Sequence, residues 1–495
     1  MTYILGISSF YHDSAAALIK DGKIIGAAQE ERFTRVRHDA SFPHESIKYV
    51  LSEANIELSE VDKIVFYEKP FLKFERLLET YVAFFPNGFK SFAASVPVWI
   101  KKKLFQKKLI KDELKKIQNI DITDDHIKFC EHHMSHAASA FYPSPFKKSL
   151  VLTLDGVGEW ATTTIGIGDG NNIKILEEIH FPHSIGLLYS AFTYYLGFKV
   201  NSGEYKVMGL APYGKPKYKD LILEKLITLK DDGSFNMSMK YFDYATGLTM
   251  INSHFEELFG EKKRDNEKNE LNQFHMNIAA SIQAVIEEVV IKISIFIKKK
   301  YMLDNLCLAG GVALNCVANS KILKKKIFKS VWIQPAAGDA GGSLGCALSY
   351  WYQHLDNDRK IDLNKMQGSY LGPKYSKNQI IRDFESINAK FKVMNREELL
   401  IEVAKNLDDQ KVIGWFQGRM EFGPRALGNR SILADPRSEQ MQKNLNLNIK
   451  FRESFRPFAP SILKDRISEY FQNSYENPYM LLVDEIKTDI RIYNE

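Results

Sequence analysis

The sequence predicts an α/β protein whose first part is internally duplicated. Residues 4–28 alternate apolar segments with a polar loop and the tight turn Lys20-Asp-Gly-Lys, a pattern typical of three strands with a hairpin between the last two. A related pattern returns at 149–170, where an apolar segment meets the turn at Asp155-Gly and another strand-like segment follows. The apolar spacing near 277–300 is helical. We therefore expect two similar lobes that face each other across a cleft.

A second, smaller domain is expected after residue 357. At 495 residues the chain is too long for one typical domain. The sequence turns polar at 356–365, and Gly368-Ser-Tyr-Leu-Gly-Pro then starts a new block. We expect domains at 1–357 and 358–495.

Composition and charge exclude several classes of function. The 67 Lys and Arg residues nearly balance the 61 Asp and Glu residues, giving a net charge of +6, which argues against nucleic acid as the main partner. The start of the sequence lacks the pattern of a secretory signal, and no long uncharged apolar run predicts a membrane span. The four cysteines contain no CxxC pair. We expect a soluble cytoplasmic protein with reduced cysteines and without stable membrane association.

The histidines in Glu131-His-His-Met-Ser-His predict a metal site. His132 and His136 are four residues apart, so on a helix they share one face and can bind one ion. Asp339, in a glycine-rich segment, is the best carboxylate candidate to complete the set. Spacing alone leaves two alternatives open, since His133 is also three residues from His136 and histidines can pack in a core.

Glycine-rich segments predict a nucleotide site in the same cleft. An apolar strand runs into Gly310-Gly311 and then a helical segment, so that backbone N–H groups can meet phosphates. This is neither a GxGxxG nor a GxxxxGK[ST] motif, and a plain tight turn explains it equally well. The turn at Asp155 and the loop 11–14 would deliver polar groups to the same cleft.

The second block is rich in cations on loops. Glycine, proline and aromatic residues flank them, which favours a small phosphate pocket over helical charge pairs. Glu421, Glu453 and Asp435 provide a competing interpretation, in which these cations form salt bridges. The cations are Arg419, Arg425, Arg430, Lys450, Arg452 and Arg456.

These motifs resemble the NodU/CmcH carbamoyltransferase family. The resemblance rests on five motifs in the same order and covers essentially the whole chain. They are Tyr11-His-Asp-Ser-Ala-Ala, His132-His-Met-Ser-His-Ala-Ala, Gly203-Glu-Tyr-Lys-Val-Met-Gly-Leu-Ala-Pro-Tyr-Gly, Gly310-Gly-Val-Ala-Leu-Asn, and the second-block segments 418–437 and 450–460.

The resemblance implies a first domain similar to the TsaD-type proteins, with a duplicated actin-like ATPase (ribonuclease H-like) fold. It implies that His12 lies beside the acceptor hydroxyl as the catalytic residue. The implied ligands of an Fe²⁺ ion, or of another divalent metal, are His132, His136 and Asp339. The implied nucleotide-binding residues are Arg37, Asp155, Gly310, Gly311 and Asn315.

The resemblance further implies a smaller α/β second domain similar to YrdC, in which Arg419 and the five other cations bind carbamoyl phosphate. In this family ATP and carbamoyl phosphate give carbamoyl-adenylate, and the carbamoyl group passes to a hydroxyl of a small-molecule acceptor such as a sugar, an antibiotic or a nodulation-type metabolite.

Two departures from the family keep other interpretations open. Relatives continue beyond Pro478-Tyr-Met-Leu into a further phosphate-binding segment, so the second domain is expected to be incomplete; Arg37 stands where many relatives carry lysine. The chain could complete its pocket as a homodimer or with a partner chain. It could instead be a non-catalytic or transfer-only nucleotide-binding partner of a full-length relative. A sugar kinase-like ATPase is disfavoured by the metal histidines and the arginine-rich block.

Overall fold

The structure, a computed structural model, describes residues 1–99 and 105–491. The chain forms two compact units, Met1–Met366 and Gln367–Glu495. Residues 358–366, which the sequence assigns to the second block, belong to the first unit. Arg359 explains part of this, because its guanidinium donates to the carbonyl oxygens of Tyr142, at 3.1 Å, and Phe146, at 2.7 Å.

The first half of unit one is a sheet with strand order β3-β2-β1-β4-β5. Strands β1, β2 and β3 are antiparallel neighbours, whereas β4 and β5 run parallel to β1. The strands are almost wholly buried and apolar, as expected for a sheet covered on both faces. They are β1 (Tyr3–Ser8), β2 (Ala15–Lys20), β3 (Lys23–Gln29), β4 (Lys63–Phe66) and β5 (Ile127–Phe129).

The second half repeats this arrangement. Its sheet has the order β12-β11-β6-β7-β8, with β6, β7 and β8 antiparallel and β11 and β12 parallel to β6. Read outward from β6, order and directions match those of the first sheet read outward from β1. The predicted duplication and the actin-like α/β fold class are confirmed. The strands are β6 (Lys148–Leu154), β7 (Ala161–Asp169), β8 (Asn172–His180), β9 (Ile227–Leu229), β10 (Phe235–Met237), β11 (Asn305–Ala309) and β12 (Ser330–Ile333), of which β9 and β10 form a separate hairpin.

Helices cover both sheets of unit one. The predicted helical stretch near 277–300 is part of a long helix, α11. The helices are α1 (Glu31–Thr34), α2 (His44–Ala54), α3 (Pro70–Ala83), α4 (Phe89–Val98), α5 (Gln106–Lys115), α6 (His132–Phe141), α7 (Ile185–Tyr195), α8 (Glu204–Leu210), α9 (Lys219–Lys225), α10 (Ser253–Phe259), α11 (Gln273–Tyr301), α12 (Cys316–Lys324) and α13 (Asp339–Ser349).

Helices α6 and α13 cross at close range between the two sheets. Glycines in α13 permit this approach: a Cβ added at Gly345 would lie 1.7 Å from the carbonyl oxygen of Ser135 in α6. A Cβ added at Gly6 in β1 would likewise lie 1.8 Å from the carbonyl oxygen of Ser343. Both contacts involve backbone atoms that cannot rotate away. The N-terminal ends of α6 and α13 carry the predicted metal ligands, so this crossing positions the site.

The second unit is a smaller α/β domain. Its antiparallel strands are β13 (Ile413–Phe416) and β14 (Arg430–Leu433), and its helices are α14 (Lys377–Ser386), α15 (Arg396–Asp408), α16 (Met441–Asn444) and α17 (Ile467–Tyr470). Long loops carry most of its basic residues. Across the described part of both units, no helix is long and apolar enough to cross a membrane.

Candidate metal centre and phosphate sites

Four buried side chains meet where β6, α6 and α13 converge. They are His132, His136, Asp155 and Asp339, each offering one ligand atom, and these atoms all lie within 4.8 Å of one another. The Nε2 atoms of His132 and His136 are 3.1 Å apart. Asp155 Oδ2 lies 3.2 Å from Nε2 of His132, and Asp339 Oδ1 lies 3.6 Å from Nε2 of His136. This group could hold a metal ion.

Local structure explains why these residues converge. The two histidines occupy successive turns on one face of α6. Asp155 follows the end of β6, and Asp339 is the first residue of α13. Glu159 fixes the start of α6, because its carboxylate accepts the backbone N–H of His132 at 3.0 Å and that of Lys69 at 2.7 Å. The sequence contained no clear signal for Glu159.

His133 points elsewhere, which resolves the ambiguity that spacing left. Its Nδ1 lies 2.7 Å from the hydroxyl of Thr153 in β6. Its ring centroid is 6.2 Å from that of His136, whereas the His132 centroid is 4.6 Å away. Burial, reinforced by the charge of His132, lowers the pKa of His133 to about 3. His133 is therefore a neutral core residue.

The chemistry of the cluster fits a divalent cation. Two imidazole nitrogens and two carboxylates are ligands suited to iron, manganese, cobalt or zinc. Burial lowers the pKa of His132, but the charges of Asp339 and Asp155 outweigh it and raise this pKa to about 9. The same two carboxylates that stabilise a protonated imidazole would stabilise a cation. Asp155, assigned from the sequence to the nucleotide site, belongs to this cluster as well.

His12 lies at the edge of the cluster. Its Nε2 is 3.7 Å from Oδ2 of Asp339, and its Nδ1 is 2.9 Å from Oδ2 of Asp13. The other Asp13 oxygen is 2.8 Å from Nδ1 of His38, so Asp13 is held between two histidines. Burial lowers the pKa of His12, but Asp339 and Asp13 outweigh it and raise this pKa to about 9. Asp13 and His38 were absent from the sequence-based site, although Asp13 adjoins His12.

The remaining nucleotide candidates fall into different environments. Gly310, at φ 89°, and Gly311 follow β11, and the N–H of Gly311 donates to Asp155 at 2.8 Å. Asn315 caps α12 and exchanges amide hydrogen bonds with Gln283. Arg37 is exposed, next to His38. The structure thus brings Gly311 to the cluster and uses the Asn315 side chain as a helix cap. Nucleotide binding by Arg37, Gly310, Gly311 and Asn315 stays a prediction.

In the second unit, two predicted arginines are held by backbone carbonyls. Arg430 donates to the carbonyl oxygens of Gln417, at 2.6 Å, and Asn429, at 2.8 Å, and lies 3.5 Å from the ring centroid of Phe416. Arg419 donates to the carbonyl oxygen of Leu371 at 2.8 Å. Arg425 lies in the loop between them. Carbonyls orient a guanidinium without cancelling its charge.

Lys450, Arg452 and Arg456 form a second basic group. Burial, together with the charges of Arg452 and Arg456, lowers the pKa of Lys450. Arg452 donates to the side-chain oxygen of Asn446 at 2.6 Å, and Arg456 lies 3.8 Å from Glu453.

The acids of the second unit serve mainly other partners. Glu421 accepts backbone N–H groups of Leu427 and Asn429 at 2.8 and 2.9 Å. Asp435 pairs with Arg437 at 2.6 Å. The ion pair between Arg456 and Glu453 supports the salt-bridge interpretation in part.

The duplicated sheets, with a buried His/Asp cluster where their helices cross, define a protein with the actin-like α/β fold. Residues 3–348 match the family model described as Carbamoyltransferase N-terminus, and residues 404–493 match the one described as Carbamoyltransferase C-terminus. The chain belongs to the carbamoyltransferase family, and it is an enzyme of this kind.

Relatives extend over the whole chain. It is 56% identical to the uncharacterized protein sll1178 of Synechocystis sp., covering 99% of this chain and 80% of that protein. It is 35% identical to the nodulation protein NolNO of Sinorhizobium fredii, covering 98% and 68%. Nodulation protein U of Rhizobium tropici is 27% identical, with 95% and 79% covered.

Among solved structures, component A of the Acidaminococcus fermentans (R)-2-hydroxyglutaryl-CoA dehydratase aligns with a TM-score of 0.37 at 15% identity, covering 72% of this chain and all of that one. HypF of T. kodakarensis aligns with a TM-score of 0.34 at 14% identity, covering 73% and 49%. At these scores the fold assignment rests on strand order and direction.

Proposed function

We propose that this carbamoyltransferase activates carbamoyl phosphate with ATP and transfers the carbamoyl group to a hydroxyl of a small-molecule acceptor. The position of His12 carries this proposal: its imidazole lies 3.7 Å from Asp339 of the buried cluster, and its other nitrogen is held by Asp13 at 2.9 Å. A base fixed beside a cation site suits attack by a hydroxyl on an activated carbonyl.

The activating steps are assigned to the second unit. Water cleaves carbamoyl phosphate to carbamate and phosphate, and a carbamate oxygen then attacks the α-phosphorus of ATP, which gives carbamoyl-adenylate and pyrophosphate. Arg419, Arg430 and the basic group at 450–456 bind the phosphate oxygens. The support is that Arg430 is oriented by the backbone carbonyls of Gln417 and Asn429, which do not neutralise its charge, and that Arg419 lies in the same group of loops.

The transfer step is assigned to the first unit. The acceptor oxygen bonds to the carbamoyl carbon, the bond from that carbon to the AMP oxygen breaks, and His12 takes the hydroxyl proton through Nε2 while Asp13 holds Nδ1. His132, His136, Asp155 and Asp339 would hold the metal. A divalent cation there, with Fe²⁺ as the candidate, would polarise the adenylate oxygens and offset the charge of Asp339 that raises the pKa of His12.

Mass spectrometry tests the proposal directly. Purified protein mixed with ATP, carbamoyl phosphate and ferrous iron is expected to form carbamoyl-AMP and pyrophosphate. Arg419→Ala should abolish both products, whereas Arg437→Ala, whose guanidinium already pairs with Asp435 and Asp408, should not. Absence of carbamoyl-AMP from a wild-type protein that still binds ATP and iron would refute activation by this chain and favour a transfer-only role.

A further inference from the structure

Helix α3 places cationic groups near the aromatic ring of Tyr11, which precedes His12. The ammonium of Lys73 lies 5.0 Å from the ring centroid of Tyr11, and this ring lies 4.7 Å from that of His12. Tyr11 is 52% exposed although it adjoins the buried cluster. An exposed aromatic face next to the proposed base is a suitable surface for the ring of a bound molecule.

The two cations of α3 differ in their partners. Lys73 forms a nearly buried ion pair with Glu68 at 2.6 Å, so its charge is compensated. Arg76 donates Nη1 to the carbonyl oxygen of Gly158 at 2.5 Å and lies 5.1 Å from the ring centroid of Phe181. In the described ranges, 1–99 and 105–491, no carboxylate forms an ion pair with Arg76.

The carboxylates nearest to Arg76 form their ion pair or hydrogen bonds with other groups. Glu68 pairs with Lys73, and the carboxylate of Glu159 accepts the backbone N–H groups of Lys69 and His132. Burial lowers the pKa of Arg76, which reflects the cost of holding a charged guanidinium away from water. A guanidinium has five N–H donors in a planar fork, and a carbonyl and a ring leave most of this capacity unused.

Arg76 also contacts a loop that carries residues of the proposed reaction centre. Gly158, which accepts its hydrogen bond, belongs to the turn between β6 and β7 that carries Asp155 and Glu159. Tyr11, on the other side, precedes His12. Arg76 therefore lies near both loops that carry the reaction centre, the one with Asp155 and the one with Tyr11 and His12.

We propose that Arg76, with Lys73 and the Tyr11 ring at its edge, forms an anion-binding subsite of the transfer centre. Its ligand is a phosphate, sulfate or carboxylate group that accepts the guanidinium fork while an attached ring lies against Tyr11. The acceptor would then be an acidic or phosphorylated hydroxyl compound. The nucleotide phosphates share this chemistry and are the other source. The assignment of an acceptor rests on the proposed function.

Calorimetric titration of the full chain tests the subsite. Binding of ATP is measured first, then binding of glucose 6-phosphate and of glucose to ATP-saturated protein. Glucose 6-phosphate is expected to bind more tightly than glucose, and Arg76→Gln should weaken it about tenfold or more, which corresponds to the loss of one charged, forked contact. Lys90→Gln, which removes an exposed charge from α4, is the matched control and should change neither affinity.

The outcomes separate the two sources. A tenfold loss confined to glucose 6-phosphate identifies an acceptor-borne anion, and a tenfold loss in ATP affinity identifies the nucleotide phosphates. If Arg76→Gln binds both ATP and glucose 6-phosphate with unchanged affinity, the proposed subsite is refuted. If this variant does not fold, Arg76→Lys keeps the charge but lacks the fork and should lose several-fold affinity. Anion binding without carbamoyl-AMP formation would contradict the proposed function and leave the subsite standing.

Discussion

The centre of the first unit and the basic loops of the second unit differ in the groups that surround their charged side chains. In the first unit, His132 and His136 face the carboxylates of Asp155 and Asp339, all of them buried. In the second, Arg430 is surrounded by backbone carbonyls, including that of Gln417 at 2.6 Å. Carboxylates make a site for a cation, whereas carbonyls orient a cation and leave its charge for an anion. The two regions thus have distinct electrostatic settings.

The largest expected difference between the two regions is the loss of stability when a glycine is replaced by alanine. Gly345→Ala places a Cβ 1.7 Å from the carbonyl oxygen of Ser135, so α13 must move away from α6. We expect a loss of about 3 kcal/mol of stability, seen as a lower Tm or insoluble protein. Gly414→Ala in β13, where nothing lies within 4 Å of the added Cβ, is the control and should stay within about 0.5 kcal/mol. Equal stability of the two variants would refute the tight crossing.

Buried carboxylates that accept backbone N–H groups occur in both regions and allow a matched test. Glu159→Gln and Glu421→Gln each remove a charged acceptor from such a set, so each should cost about 1–3 kcal/mol in denaturant unfolding. Glu159 fixes the start of α6, so its variant alone should also weaken metal binding, about tenfold. Equal metal affinity in the two variants would show that the position of α6 does not depend on Glu159.

The smallest expected difference between the two sites is their response to ionic strength. Exposed or half-buried arginines are screened by salt, whereas a buried cluster is screened much less. We expect the KM for carbamoyl phosphate to rise about two- to fivefold between 50 and 500 mM KCl, from a Debye length of about 14 Å to about 4 Å. Metal content measured over the same range should not change. A KM independent of salt would argue against charge-based binding by the second unit.

The fold could be predicted from the sequence because its signals are local. The Asp-Gly turn after β2 has positive φ at both Asp21, 47°, and Gly22, 76°, as a two-residue hairpin requires. The same hairpin pattern returned at 149–170, and the sheet order repeats with it. The boundary after Met366 depends on Arg359 reaching carbonyls more than 200 residues away. That contact has no local signal.

The candidate site could be predicted only in part, because side-chain direction is a tertiary property. Spacing on α6 was consistent with either His132 or His133 as the partner of His136, and packing against Thr153 decided it. Asn315 was a nucleotide candidate from its motif, and that motif gave no sign that its side chain caps a helix. Arg76 stood in an unremarkable helical stretch. Its significance comes from Gly158 and Phe181, which are distant in sequence.

The central claim is that the His/Asp cluster binds a metal, and metal content by mass spectrometry tests it most directly. The full chain, purified after incubation with ferrous iron under anaerobic conditions, is expected to hold about one metal ion per chain, as a single four-ligand site predicts. His136→Ala should lose it, and His133→Gln, a neighbouring buried histidine outside the cluster, should keep it. Metal loss in both variants, or in neither, would contradict the account.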